Sequence, residues 1–292
     1  MLSADEVRQL DRLTFGNTSA SPATDPSGAR VARVRGFSTE FQDFRPYQPG
    51  DDPRAIEWTI YGRLGQLVTR TYRSSAQLRV HLLVDISGSM SVGVPGKLSC
   101  ATRVAALLAY AGLRTRDAVA LATFNQRIAL RLPPADGRSQ LFGIFAALRG
   151  ASAAGPSAIG AALADYGTLE RGPGLAVVIS DFFDPAGVLD GLRYLLHRAL
   201  TPAVVQIVSD DELDPPIQGD VELVDIEAPD AAPLRVDATA VAAYRAAMAE
   251  HRAGLRDFCA AHGLPSLQLR SSSSFAELLG ACSRAGLFVT QR

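Results

Sequence analysis

Three oxygen-bearing side chains follow one apolar segment at alternate positions: Asp85, Ser87 and Ser89. The segment before them, residues 78–84, is rich in leucine and valine without polar alternation, which is typical of a parallel strand buried on both faces. The Ser-Gly-Ser that follows predicts a turn. Carboxylate and hydroxyl oxygens suit hard divalent cations, so the spacing predicts a Mg²⁺ site, with Mn²⁺ or Ca²⁺ as alternatives.

Two later loops carry further candidate ligands, Ser157 and Asp181. Asp181 follows a second apolar run, and because parallel strands end at one edge of a sheet, we expect it near Asp85. Ser157 precedes a helix-like segment, where its hydroxyl can be a metal ligand or can cap the helix, and both roles stay open. Asp184 is expected to cap the helix that follows it.

The overall composition predicts a soluble globular protein without a general affinity for nucleic acid. Of 292 residues, 47% are hydrophobic and 20% charged, and the net charge of -1 provides no basic excess. Cys100, Cys259 and Cys282 show neither paired nor zinc-binding spacing, which favours reduced thiols and a cytoplasmic location. The charged N-terminus and the lack of a run of about 20 apolar residues argue against a signal peptide and direct membrane insertion.

Strands and helices are predicted to alternate between residues 78 and 208, the pattern of a mainly parallel sheet with helices on both faces. Predicted strands cover residues 80–84, 118–124, 127–131, 176–180 and 203–208, the third being an antiparallel edge strand. Predicted helices cover residues 97–115, 140–148, 158–169 and 188–199.

The predicted domain organisation has four parts. Residues 1–29 are expected to form a helix, over residues 3–15, and a connector. Residues 30–76 form a β-ribbon region, 77–208 the α/β core, and 209–292 a C-terminal hairpin and helical extension. Within the last part, the acidic run 209–216 predicts a solvated loop rather than a second cation site. Asp237 is expected to cap a long helix.

Residues 45–58 combine arginine, aspartate and aromatic side chains, a mixture that composition alone would also offer as a carbohydrate or nucleotide site. We favour a structural role, in which Arg45 and Arg54 pair with Asp51 and Asp52 to form a salt-linked corner.

Two motifs carry a family resemblance. They are Arg45-Pro46-Tyr47 with Pro49-Gly50-Asp51-Asp52 and Trp58, and the later Asp85-Ile86-Ser87-Gly88-Ser89-Met90. The second motif, with its following loops, resembles the von Willebrand factor A domain and its metal-ion-dependent adhesion site. Both motifs in this order are similar to the bacterial family called domain of unknown function 58, over roughly residues 30–200.

The resemblance implies a doubly wound, von Willebrand A-like fold and a defined ligand set. It implies that Ser87, Ser89 and Ser157 coordinate a metal directly, and that Asp85 and Asp181 do so through water. One open position would then accept an Asp or Glu of a client protein. Ser157 stands where the family usually carries Thr, and the missing methyl group predicts a looser site. The resemblance also implies a MoxR-type AAA+ ATPase as partner.

No catalytic base or nucleophile is evident. The segment 93–99 departs from a phosphate-binding loop because Leu98 replaces the required hydroxyl, and Gly-x-Ser-x-Gly is missing. The sequence therefore predicts a non-enzymatic, metal-dependent protein-binding module, and the family resemblance implies that it is an adaptor of a MoxR-type ATPase. Two alternatives stay open: a metal-assisted phosphohydrolase using the same aspartates, and an interaction protein with a vestigial metal site.

Overall fold

A computed structural model describes residues 13–15, 39–48, 56–74, 77–184, 187–217, 219–224, 226–227 and 231–290. The chain forms two compact units, one of Met1–Ser21 with Leu78–Arg292 and one of Pro22–Gln77. In chain order the described elements are β1 (Leu13–Phe15), β2 (Thr39–Pro46), α1 (Trp58–Leu64), β3 (Val68–Ser74), β4 (Arg79–Asp85), a 3-10 helix (Gly88–Ser91), α2 (Lys97–Arg114), β5 (Ala118–Phe124), β6 (Ile128–Ala135), α3 (Gly137–Gly150), α4 (Ile159–Leu169), β7 (Gly174–Ser180), α5 (Val188–His197), β8 (Leu200–Val208), α6 (Asp210–Leu213), β9 (Gly219–Val224), β10 (Ala231–Val236), α7 (Ala238–Ala261), β11 (Ser266–Arg270), α8 (Phe275–Arg284) and β12 (Phe288–Thr290).

The larger unit is built on a six-stranded sheet in the order β11-β8-β7-β4-β5-β6. Every neighbouring pair is parallel except β5 with β6, so the predicted antiparallel edge strand is confirmed. The predicted α/β class with a mainly parallel sheet is confirmed as well. Strand β5 has the predicted bounds, and the other four observed strands, β4, β6, β7 and β8, are each a few residues longer than predicted.

Helices cover both faces of the sheet, and successive residues of its central strand point to opposite sides, so they enter two different clusters. Leu82 lies in a core cluster with side chains of α2, α3 and α8, whereas its neighbour Leu83 lies in a second cluster with side chains of α4, α5 and α7. Both leucines are fully buried. This two-sided burial explains why the strand reads as a continuous apolar run.

The sheet continues beyond residue 208, where the predicted core ended. Strand β11 pairs in parallel with β8, from Ser266 opposite Val204 to Arg270 opposite Val208. The segment 266–270 is therefore part of the central sheet rather than of an extension. Most residues of this strand are half-buried, and its sequence mixes polar and apolar residues, so it lacks the apolar run that marks the central strands.

The N-terminal helix predicted over residues 3–15 is wrong at its end, where Leu13–Phe15 forms a strand antiparallel to β12. The rings of Phe15 and Phe288 lie 5.4 Å apart between centroids. Because this partner lies at the far end of the chain, local helical spacing could not indicate it. Residues 1–12 lie outside the described part of the chain.

The smaller unit contains an antiparallel ribbon of β2 and β3, which confirms the predicted β-ribbon. It also contains helix α1, which was not predicted. Glu57 caps this helix by accepting a hydrogen bond from the Thr59 N–H at 3.3 Å, and Gly65 ends it in a left-handed conformation with φ of 67°. The salt-linked corner predicted from Asp51, Asp52 and Arg54 lies outside the described residues.

The C-terminal hairpin and long helix are confirmed as β9 with β10 and as α7, which Asp237 caps through the Ala240 N–H at 2.8 Å. The acidic run differs from its prediction as a solvated loop, because Ser209 begins helix α6 with a capping box that includes Glu212. The Glu212 side chain is only 14% exposed and pairs with Lys97. Within the described residues, no helix has both the length and the apolar character required to cross a membrane.

Candidate metal centre

Asp85 ends the central strand β4 and is fully buried. Its Oδ1 accepts a hydrogen bond from the Ser87 N–H at 2.8 Å, and its Oδ2 accepts one from the Ser180 hydroxyl at 2.6 Å. Burial, followed by the charge of Asp181, raises the pKa of Asp85 to about 6. The site therefore disfavours an isolated negative charge at this position, and a bound cation would relieve that penalty.

The first loop turns sharply after Asp85 and brings two hydroxyls together. Ser87 is buried and precedes the 3-10 helix, and its Oγ lies 3.1 Å from the Oγ of Ser89. The Ser91 hydroxyl donates to the Gly88 carbonyl at 2.8 Å, which holds the turn closed. The two serines thus present adjacent oxygen atoms at the sheet edge.

The second loop is hydrogen-bonded directly to the first. The Gly88 N–H donates to the Gly155 carbonyl at 2.7 Å, and the Ala154 N–H donates to the Ile86 carbonyl at 2.9 Å. Gly155 has a φ of 78°, a conformation that favours glycine. These bonds place the segment carrying Ser157 beside the first loop.

The structure separates the two roles that were open for Ser157. Helix α4 begins at Ile159 with Ala158 as its N-cap and without a side-chain cap there, and the Asp184 Oδ2 accepts from the Ile159 N–H at 2.7 Å. Asp184 therefore serves this earlier helix, not the following one that was predicted. Among the described residues the buried Ser157 Oγ has no hydrogen-bond partner, so the capping role that was open for this hydroxyl is not observed.

The third loop presents Asp181, which is 2% exposed and engaged on both carboxylate oxygens. Its Oδ2 lies 2.6 Å from the Lys97 Nζ, and its Oδ1 accepts from the Phe183 N–H at 3.1 Å. Lys97 also pairs with Glu212. Asp181 thus lies at the expected sheet edge, but a lysine that the sequence analysis did not assign to the site already balances its charge.

Glu227 is a second residue that the sequence analysis missed. Its Oε1 accepts from the Ser89 N–H at 3.1 Å, and its Oε2 accepts from the Ser157 N–H at 2.8 Å. One carboxylate therefore bridges the first and second loops. Glu227 lies 138 residues from Ser89 and 70 from Ser157, and no local pattern in the sequence signals this contact.

The donor set fits a hard divalent cation. Three hydroxyls lie on two loops that are hydrogen-bonded to each other, the first of which directly follows Asp85, and the buried Ser157 Oγ has no hydrogen-bond partner among the described residues. The described residues contain no group of three or more His, Cys, Asp or Glu side chains able to hold a metal. A cation at this edge would therefore depend on serine oxygens rather than on a carboxylate or imidazole cluster.

Comparison with known proteins gives a family model and several distant neighbours. The model described as Protein of unknown function DUF58 matches residues 43–254. The uncharacterized protein Rv1480 of Mycobacterium tuberculosis is 26% identical over 249 residues, which cover 84% of this chain and 78% of that protein.

Solved structures similar to this chain include the conserved hypothetical protein BatB from Bacteroides thetaiotaomicron, with 16% identity, 71% of this chain and 98% of that chain covered, and a TM-score of 0.43. They also include the SpRpn10 VWA domain, a von Willebrand A domain, with 10% identity and a TM-score of 0.42. This match covers 74% of this chain and 100% of that chain.

Proposed function

The chain belongs to the DUF58 family, and from this premise we propose that it is a non-enzymatic protein-binding module that uses a divalent metal to hold an acidic side chain of a client protein. One observation carries the proposal. Within the described part of the chain, the buried Ser157 hydroxyl has no hydrogen-bond partner, and its loop is hydrogen-bonded to the loop of Ser87 and Ser89. Buried polar atoms are normally paired, so an unpaired hydroxyl among other oxygen donors favours a cation ligand.

In this proposal the serine hydroxyls of Ser87, Ser89 and Ser157 hold Mg²⁺, or Mn²⁺ or Ca²⁺ in its place. Asp85 acts through water, and the Ser180 hydroxyl and Ser87 N–H fix the orientation of its carboxylate. When bound, the metal supplies positive charge for the client's Asp or Glu. Because most of the direct ligands are neutral hydroxyls, that charge is only weakly neutralised by the protein.

Asp181 belongs to the proposed ligand set as a water-mediated ligand. Its contact with Lys97 at 2.6 Å compensates its charge without a metal, so it adds less negative charge than a free carboxylate would. The metal site would therefore keep a strong preference for an additional, external carboxylate.

The proposal includes a MoxR-type AAA+ ATPase as partner, which follows from the family resemblance, and the cytoplasm as the location, which follows from the cysteine pattern. The cysteines are consistent with a reducing compartment, because Cys100, Cys259 and Cys282 are buried and free. Burial raises the pKa of the Cys282 thiol to about 12, which keeps it protonated and unreactive.

A pull-down from native lysate tests the proposal. The wild-type chain in millimolar Mg²⁺ should retain a MoxR-type ATPase and release its client when EDTA is added. Ser87→Ala should reproduce the EDTA result in the presence of Mg²⁺. Ser99→Ala is the matched control, because it removes an exposed hydroxyl from α2 and should behave as wild type. Client capture that is indifferent to EDTA and to Ser87→Ala would contradict metal-dependent binding.

The same protein preparations test the enzymatic alternative. Mg²⁺-dependent turnover of phosphate esters that disappears in Asp85→Ala would contradict the non-enzymatic assignment. A panel of esters that the wild type leaves intact would support it.

A further inference from the structure

The carboxylate of Glu227 lies across the two loops that carry the candidate metal ligands. It accepts one hydrogen bond from the backbone of Ser89 and one from the backbone of Ser157, at 3.1 and 2.8 Å. The side chains of these two residues are candidate metal-binding hydroxyls, one on the first loop and one on the second. The Glu227 carboxylate therefore contacts the backbone of one candidate metal ligand on each of the two loops.

The backbone before Glu227 packs directly on the first loop. A Cβ atom added to Gly88 would lie 3.2 Å from the Ile226 carbonyl oxygen and 3.4 Å from the Glu227 Cγ. Glycine at position 88 thus permits the connection between β9 and β10 to approach the loop closely. The backbone of the hairpin therefore packs closely on the first loop, and the contact does not depend on the Glu227 side chain alone.

Other carboxylates also lie at this edge of the sheet. Asp85 is fully buried there, and the Lys97 ammonium is shared between Asp181 and Glu212. Glu227 brings a further carboxylate to the loops of Ser89 and Ser157, and a divalent cation bound between these loops would attract it.

We infer that Glu227 is the acidic ligand that the chain supplies to its own metal site, in the position that a client's Asp or Glu would take. This inference rests on the proposed function. The segment 226–227 then acts as an internal competitor, which a client must displace. The apparent affinity for the client is reduced by the fraction of molecules in which Glu227 occupies the site.

Mn²⁺ provides a direct test, because it replaces Mg²⁺ and its paramagnetism reports the molecules next to it. Glu227→Gln keeps the side-chain volume and removes the charge. Calorimetry should show Mn²⁺ binding weakened about tenfold or more. At saturating Mn²⁺, the variant should relax the protons of water and of added acetate more strongly than wild type, since the coordination position is open.

Two further variants control the experiment. Glu222→Gln removes an exposed carboxylate from the same hairpin and should match the wild type in both measurements. Glu227→Asp keeps the charge on a shorter side chain and should bind Mn²⁺ more tightly than Glu227→Gln, which excludes a general defect in folding as the cause.

Failure of the inference and failure of the proposed function give different results. Mn²⁺ binding and proton relaxation that are unchanged in Glu227→Gln would overturn the role of Glu227 and leave the metal site standing. A wild-type chain that binds no Mn²⁺ would overturn the metal-dependent function and this inference together.

Discussion

The Lys97 ammonium lies 2.6 Å from the Asp181 carboxylate, with the lysine side chain fully buried and the aspartate 2% exposed. Lys97 is the first residue of α2, and Asp181 directly follows β7, 84 residues later. The same ammonium pairs with Glu212 and lies 5.0 Å from the centroid of the Phe183 ring. The pair therefore links the helix after the first loop to the third loop and to α6.

Removing the lysine should be strongly destabilising. Lys97→Met keeps a long side chain but leaves the buried Asp181 and the largely buried Glu212 without their cation. We expect the free energy of unfolding to fall by about 3–5 kcal/mol, as for other broken buried ion pairs. Urea denaturation at neutral pH measures the change.

Two comparisons assign the loss to charge. Combining Lys97→Met with Asp181→Asn should recover part of the stability, because the uncompensated charge is removed. Arg235→Met removes the exposed partner of Asp220, whose ion pair measures 3.9 Å, and should change stability little. A double variant as unstable as Lys97→Met alone would place the cost in packing instead.

Ser157→Ala should separate stability from metal binding. Without metal, the free energy of unfolding should stay the same or rise slightly, because the lost hydroxyl is buried and unpaired. Millimolar Mg²⁺ should raise the melting temperature of the wild type by mass action and that of the variant by less. Thermal unfolding with and without Mg²⁺ measures both effects.

Ser180→Ala is the contrasting variant. The Ser180 hydroxyl donates to Asp85 at 2.6 Å and accepts from the Phe182 N–H at 2.9 Å, so its loss should lower stability even without metal. A Ser157→Ala protein that is destabilised to the same extent without metal, and that responds fully to Mg²⁺, would contradict the ligand role of Ser157.

The central fold is predictable from sequence because its signals are local. Strands β4 and β7 are buried on both faces, and each contains a run of consecutive apolar residues, Leu82 to Val84 in β4 and Leu175 to Ile179 in β7. The three strands that were missed, β1, β11 and β12, are short and pair with segments that are distant in sequence. Their positions follow from tertiary packing, which local periodicity does not contain.

The candidate site likewise contains residues that local spacing indicates and residues that only tertiary packing brings to it. Asp85, Ser87 and Ser89 share one turn, so their spacing indicates the chemistry directly. Lys97 is the first residue of a predicted helix, and its burial depends on acceptors 84 and 115 residues away, which the local pattern does not indicate. Glu227 reaches the site only through the hairpin fold, so the sequence offers no spacing rule by which to find it.

Gly160→Ala should disrupt the contact between α4 and α5. A Cβ atom at position 160 would lie 2.4 Å from the Gly187 carbonyl oxygen, and one at Gly191 would lie 2.9 Å from the Gly160 Cα. Because backbone atoms cannot move aside as side chains do, we expect a loss of about 1–3 kcal/mol or more. Denaturant unfolding measures the change.

Gly254→Ala is the matched control, since this glycine lies within α7 and an added Cβ would meet no atom within 4 Å. Higher helix propensity should stabilise this variant by about 0.5–1 kcal/mol. If both substitutions shift stability in the same direction, close packing at Gly160 is not the determining factor.

His81 should make stability depend on pH. It is 1% exposed in the middle of β4, and its Nδ1 lies 2.8 Å from the Tyr166 hydroxyl. Burial lowers the pKa of His81 to about 4; the charge of Glu170 opposes this shift, and those of Arg79 and Arg131 add to it. In the unfolded chain the pKa is about 6.5.

Between pH 4 and 6.5 the unfolded chain therefore binds a proton that the folded chain excludes, so stability increases as pH rises through this window and is lost as pH falls. The shift corresponds to about 3 kcal/mol. Urea unfolding of wild type and His81→Gln from pH 4.5 to 7.5 isolates this contribution, because the opposite effect of the raised pKa of Asp85 is common to both proteins. His81→Gln should show a weaker increase in stability with pH than wild type. Parallel curves for the two proteins would mean that His81 has the same pKa in the folded and the unfolded chain, which would contradict this prediction.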